Sequence, residues 1–177
     1  MRNINIIAAC DIMGGFAKNN TIPWIEEDLA KQDLKNFQKI TKGHICVMGT
    51  NTYNEIHSMR VARVGGEIEE LLPGRKCYVV TSNRSKIFPG AITVGSLREV
   101  RNEQDFDFNG PIFVIGGRRL FVESIAWASN VFLTVINKNY DCDVFFPIVS
   151  LIKKFHPIVI DKHEGFSFIQ YARHTNS

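Results

Sequence analysis

Four short, nearly continuous apolar runs mark the first two thirds of the chain: 4–10, 44–48, 76–81 and 111–115. Each is bounded by Gly, Pro or Asp and reads as a strand. Runs that are apolar on both faces suit strands inside a sheet covered by helices. Helical stretches fall between them: about 28–40, the segment after Thr50, Ser96–Glu103, and the segment after Gly117 through Leu120, Phe121 and Ile125. Strand–helix alternation predicts an α/β domain with a largely parallel sheet. Three later runs, 131–136, 158–160 and 166–171, come without long helices and predict one more parallel strand, then an antiparallel edge pair. The segment Asn54–Glu70 reads as an exposed, inserted loop.

At 177 residues and 45% hydrophobic, the chain suits one core, so residues 1–177 are expected to form a single domain. Net charge is only +3, and no run of Lys/Arg interleaves with aromatics, which argues against nucleic acid or a membrane surface as partner. No apolar run nears the ~20 residues of a spanning helix, and the N-terminus lacks a signal-peptide pattern. A soluble, cytoplasmic monomer acting on a small molecule is the expectation. Cys10, Cys46, Cys77 and Cys142 are widely spaced and expected to be reduced and structural. The five histidines show no ligand spacing, so no metal site is expected.

Chemistry first shows after Ile22-Pro23-Trp24, where Asp33, Phe37 and Thr41 stand at i, i+4 and i+8 of a predicted helix. One carboxylate beside an aromatic suits a flat, polar-edged heterocycle. Three strand ends add phosphate-capable turns. Ile115-Gly116-Gly117-Arg118 offers backbone N–H groups, with Arg118 or Arg119 adding charge, although a Gly-Gly turn can equally be a tight bend. It is not the GxGxxG of a Rossmann fold. Gly49-Thr50-Asn51-Thr52 reads either as a phosphate turn or as a plain helix cap. Thr81-Ser82-Asn83-Arg84 supplies hydroxyls, an amide and a guanidinium.

Taken in order, these motifs resemble dihydrofolate reductase over nearly the whole chain. The resemblance rests on Ile7 to Asp11, Gly14 to Trp24, Asp33-Leu34 with Phe37 and Thr41, and Val47 to Tyr53. It continues through Leu72-Pro73-Gly74-Arg75, Val114 to Gly117, Leu133-Thr134 and Asp143 to Pro147. It implies an eight-stranded, mixed, mostly parallel sheet with helices on both faces and an antiparallel C-terminal edge. The implied reaction is reduction of 7,8-dihydrofolate to 5,6,7,8-tetrahydrofolate by hydride from NADPH, in support of one-carbon metabolism and thymidylate and purine synthesis.

Site roles follow from the resemblance. Asp33 would bond the pterin ring N–H and 2-amino group. Asp28 is the competing acid, but its i+4 and i+8 partners are Gln32 and Asn36, which suit an apolar pocket less well than Phe37 and Thr41. Phe37, Ile7, Ala8 and Ile115 would line the pterin pocket, Thr134 would orient Asp33, and Trp24 would hold the water that protonates N5. Arg75 resembles the arginine that pairs with the α-carboxylate of the glutamate tail. The loop 11–26, with Gly14, would be a lid, and Ala9, Ile22 and Phe121 would surround the nicotinamide. Thr52, Thr81, Ser82, Gly116 and Gly117 would hold the adenosine and diphosphate, with Gly49, Thr50, Asn51 and Asn83 beside them. Arg84, Ile115, Arg118, Arg119 and Leu120 complete the expected cofactor site.

The chain departs from the family pattern in several places. Thr50 replaces a common basic residue, which shifts preference for NADPH onto Arg84 or Arg118. Segments 25–32 and 54–70 are longer than usual, and Ala17 replaces a frequent lid glycine. Two rival readings are a same-fold reductase of a riboflavin-pathway pyrimidine and a non-catalytic folate- or nucleotide-binding protein. Ile22-Pro23-Trp24 and Leu72-Pro73-Gly74-Arg75 argue against the first.

Overall fold

The computed structural model describes residues 1–175. Its elements begin with β1 (Ile4–Asp11), β2 (Gly15–Ala17), α1 (Asp28–Thr41), β3 (Ile45–Gly49) and α2 (Thr50–Val64). They continue with β4 (Lys76–Val80), β5 (Ile92–Val94), α3 (Leu97–Asn102), β6 (Ile112–Gly116) and α4 (Arg118–Ser124). The last are β7 (Asn130–Ile136), β8 (Val144–Phe145), α5 (Ile148–Lys154), β9 (Phe155–His163) and β10 (Phe166–Arg173).

Eight strands form one sheet in the order β5-β4-β3-β6-β1-β7-β10-β9, and β2 pairs separately with β8. Pairings among β5, β4, β3, β6, β1 and β7 are parallel, whereas β10 runs antiparallel to both β7 and β9. The expected α/β fold with its antiparallel C-terminal edge is therefore the observed one.

Alternation along the strands divides the core in two. Ile4, Ile6, Ile45, Val47, Ile112 and Val114 pack with Leu97 and Val100 of α3, Leu120 and Phe121 of α4, and Leu151 of α5. The intervening residues Ile7, Cys46, Met48, Cys77, Val79 and Phe113 pack with Phe37 and Ile40 of α1 and Tyr53 and Ile56 of α2. Successive strand residues point to opposite faces, so α1 and α2 cover one face and α3, α4 and α5 the other. After β1 the chain passes over the position of β6 to reach β3, and later returns to fill it. The carboxyl ends of β1, β6 and β3 thus flank a topological switch point, where open α/β sheets hold ligands.

One sequence expectation needs correcting. Asn54–Glu70 is not a loop throughout, because α2 runs on to Val64 and stops at Gly65, whose φ of 77° and N–H bond to the Val61 carbonyl (2.8 Å) make a left-handed cap. The turns after Tyr53 lack an apolar stripe of helical period, which hid the helix. The short elements β2, β5, β8 and α5 also escaped the apolar pattern. Ala17, expected to restrict the lid, lies in the extended strand β2, where alanine is unstrained.

Leu71 is fully buried, and its N–H bonds the Gly90 carbonyl at 3.3 Å. Gly90 has φ of 78°, and a Cβ there would lie 2.6 Å from the Leu71 nitrogen. Gly90→Ala is therefore expected to cost roughly 1–3 kcal/mol or more, from backbone strain plus the clash. A chemical-denaturation midpoint unchanged from wild type would contradict this.

Candidate active site

A cleft of about 1410 Å³ opens along the carboxyl ends of the parallel strands. At one end α1 supplies its acid. Asp33 is half-buried, and Thr134, on the central strand β7, donates its hydroxyl to Asp33 Oδ1 at 2.6 Å. Burial pushes the Asp33 carboxyl above the ordinary aspartate range, while the Thr134 hydrogen bond pulls it back in part. Asp28, the rival acid, sits on the exposed start of α1, 3.8 Å from Lys31, and does not line the cleft.

Ile7, Ala8, Phe37 and Ile115 form apolar wall around Asp33, and Trp24 completes it. Trp24 is only 3% exposed and packs on Tyr140 with ring centroids 5.3 Å apart. Tyr140 in turn donates its hydroxyl to Glu27 at 2.9 Å, and Lys138 reaches the same carboxylate at 3.3 Å. The stretch after Trp24 is thereby tied to the loop between β7 and β8, and its later residues wind into the first turn of α1.

Thr41 does not share the cleft as its spacing suggested. It is fully buried, donates to the Phe37 carbonyl at 2.7 Å, and accepts from Arg75 Nη1 at 3.3 Å. Arg75 lines the cleft, with its Nε on the Pro73 carbonyl (3.1 Å) and its guanidinium 5.8 Å from the Phe37 ring centroid. Thr41 therefore orients the arginine instead of meeting the ring.

The other end of the cleft is built from strand-end turns. Gly49 ends β3 and is followed by Thr50, Asn51 and Thr52, Thr81 and Ser82 follow β4, and Gly116 ends β6 and is followed by Gly117, Arg118 and Arg119. Gly116 has φ of 138°, and a Cβ there would meet Thr52 Oγ1 at 2.8 Å, so two of these turns touch only because the residue is glycine. Ala9, Ile22, Leu120 and Phe121 line the middle. Phe121 meets Phe16 of the lid edge-on at 5.5 Å.

Three expected cofactor residues lie off the cleft wall. Gly14 packs on Ile148. Asn83 turns its side-chain oxygen onto Ser85, accepting from the backbone N–H and the hydroxyl at 3.2 and 2.7 Å. Arg84 is paired with Glu99, so its charge is already matched. Other wall residues escaped sequence reasoning, including Gly95, Ser96, Glu55, Met59, Arg60 and Arg63. The last four fall with Thr52 and Ile56 on one face of α2, a stripe of mixed polar and apolar residues that a search for apolar periodicity passes over.

The lid is pinned at its start and near its middle. The buried Asp11 carboxylate accepts from the N–H groups of Met13 and Gly15, each at 2.9 Å, and of Tyr140 at 3.0 Å. Further along, the Asp143 carboxylate takes the Asn19 N–H at 3.0 Å, and Ala17 pairs with Val144.

A sequence model described as dihydrofolate reductase matches residues 3–173. The chain belongs to the dihydrofolate reductase family. Among relatives, the dihydrofolate reductase of Bacillus subtilis (strain 168) is 33% identical over 146 residues, covering 81% of this chain and 75% of that protein. A Staphylococcus aureus dihydrofolate reductase is 28% identical over 144 residues, covering 81% of this chain and 77% of that one. A solved dihydrofolate reductase from Enterococcus faecalis, complexed with NADP(H) and RAB-propyl, superposes with a TM-score of 0.76 at 23% identity, covering 98% of this chain and 97% of that one. At that identity the structural likeness speaks for the dihydrofolate reductase fold.

Two outcomes follow for Asp33 and its partner. Because its folded pKa is raised, the charged carboxylate costs stability once pH exceeds the unfolded value, and the cost disappears below it. Asp33→Asn is thus expected to raise Tm by a few degrees at neutral pH, the gain fading as pH falls toward about 4. A gain that instead grows on acidification would contradict the burial account. Thr134→Val is expected to lower kcat/KM on the order of tenfold or more, the loss of one hydrogen bond to a charged group; unchanged steady-state kinetics would refute that role.

Proposed function

We propose that this cleft carries out the reaction of its family, reduction of 7,8-dihydrofolate to 5,6,7,8-tetrahydrofolate with NADPH, in the following roles. The carrying observation is a carboxylate, held by Thr134 in an apolar pocket, that shares one cleft with the strand-end turns. Asp33 accepts the hydrogen bonds of the pterin's N–H and 2-amino groups and so fixes the ring against Phe37 and Ile115. Being acceptor-only when ionised, it selects a ring edge that presents donors. Arg75 takes the α-carboxylate of the glutamate tail, and Thr41 holds that guanidinium in place.

NADPH supplies the hydride. The residues present fit a dinucleotide: the three turns line one continuous wall, and the contact of Gly116 with Thr52 leaves a backbone cradle that a side chain would fill. Arg118 and Arg119 are the guanidinium groups on that wall, whereas Arg84 is engaged by Glu99. The lid, with Ile22 and Phe16 on the cleft, excludes water from the reacting ring. In this reading Trp24 holds the water that protonates N5, since Asp33 serves a different edge of the pterin. Four free thiols suit a reducing cytoplasm.

Purified protein given NADPH and dihydrofolate is expected to consume both, followed by loss of absorbance at the NADPH band. Asp33→Asn is expected to cut kcat/KM by about a hundredfold or more. No oxidation by the wild type would refute the reductase reading, and full activity of the variant would refute the role of Asp33.

A further inference from the structure

Away from the cleft, the outer edge of the sheet brings two histidines together. β9 and β10 pair antiparallel there, with Phe155 opposite Arg173 and His156 opposite Ala172. The pairing runs one residue further, because the His174 N–H donates to the Lys154 carbonyl at 2.9 Å. His156 and His174 are therefore diagonal neighbours on one face of the hairpin, within reach of each other's rings. Their Nδ1 atoms are 3.3 Å apart, although 18 residues separate them along the chain. Histidine spacing in the sequence carried no sign of this pair.

The rings are set as if around a common point. Their centroids lie 5.1 Å apart and their planes are inclined by 21°. The two nitrogens are nearer to one another than the ring centres are, so the rings splay outward from the gap between the Nδ1 atoms. An unprotonated imidazole nitrogen carries its lone pair in the ring plane, pointing away from the ring and here into that gap. Two nitrogens bound to one tetrahedral zinc at about 2.0–2.1 Å stand roughly 3.3–3.4 Å apart, which is the spacing found. The same contact can hold one N–H···N hydrogen bond instead; an incoming ion displaces that proton to Nε2 or to water.

Both rings are exposed, so an ion reaches them from solvent. The backbone beneath them is held firmly. Pro157 keeps His156 extended. Arg173, the cation beside His174, turns to the Ala128 and Ile125 carbonyls, each at 2.7 Å, and lies 4.6 Å from the Phe155 ring centroid.

We propose that His156 and His174 form a two-histidine site for a divalent transition ion such as Zn²⁺ or Ni²⁺, with water completing the coordination. Imidazole nitrogens favour such ions over Mg²⁺ and Ca²⁺, which take oxygen ligands. No group of three or more His, Cys, Asp or Glu gathers as a metal cage among the described residues, so the ion is held by two protein ligands and stays open to water. Binding clamps the start of β9 to the end of β10. β9 is the outermost strand, and residues 156–163 are all exposed, so the clamp acts on the least covered part of the sheet. Neither histidine lines the cleft, and the site does not depend on the dihydrofolate reading.

The test titrates protein free of any histidine tag with zinc, nickel or magnesium chloride in a calorimeter, at about pH 7.5, where neutral imidazole predominates. The wild type is expected to take up one Zn²⁺ or Ni²⁺ per chain and no Mg²⁺, and to gain a few degrees in Tm at saturating Zn²⁺. His156→Gln and His174→Gln should each weaken binding by roughly tenfold or more and abolish the Tm gain, since losing a ligand costs at least as much as losing a ligand's own hydrogen-bond partner. His163→Gln removes an exposed histidine on the same strand, paired with Asp161, and should keep both. In ring NMR spectra of the wild type, Zn²⁺ should move the signals of His156 and His174 and leave those of His44 and His57 in place, a readout that stands even if a variant folds poorly. No saturable binding by the wild type, unchanged affinity in either variant of the pair, or an equal loss in His163→Gln would overturn the site.

Discussion

A carboxylate kept in an apolar pocket by a single strong hydrogen bond organises this molecule. Asp33 reaches across from α1 to Thr134 on β7, at 2.6 Å, and so ties the first helix to the middle of the sheet. Burial disfavours its charge, and the threonine hydroxyl offsets part of that cost. The pocket must be apolar to hold a flat ring, yet it must keep one acceptor for the donor-bearing edge. The surrounding residues serve that compromise: Phe37 lies one turn along α1, Ile115 and Ile7 come from adjacent strands, and Trp24 is backed by Tyr140 and Glu27.

The rest of the cleft follows from strand order. Since β6 enters the sheet between strands laid down earlier, the ends of β3 and β6 lie side by side, and glycine lets their turns meet. The acid end and the turn end are therefore one continuous cleft along the carboxyl ends of the strands. Such a layout holds a ring and a dinucleotide edge to edge without moving either helix layer. The segment 11–26 adds Phe16 and Ile22 to the cleft wall and is held through Asp11 and Asp143 to the loop before β8.

Much of this was legible from residue order. Buried parallel strands announce themselves as continuous apolar runs, and Asp33 stood out because Phe37 follows it at one helical turn. Thr134 was identified only through resemblance, since a threonine within an apolar strand carries no local sign of its partner 101 residues away. Thr41 was misread because helical spacing gives the face but not the depth; it lies beneath the cleft, bracing Arg75. Asn83 and Arg84 were expected as ligands because they follow a strand end; Asn83 bonds Ser85 and Arg84 pairs with Glu99. The second half of α2 was taken for a loop because its inner face mixes apolar residues with charged ones, and those charged residues, Glu55, Arg60 and Arg63, line the cleft.

The account stands most directly on the protonation of Asp33. Carboxyl-carbon NMR titration of the protein, with Asp33→Asn used to assign the resonance, would report it. The account predicts a midpoint above the ordinary 3.8 of an aspartate. A midpoint at or below that value would mean a solvated or ion-paired carboxylate, and would contradict the pocket described above.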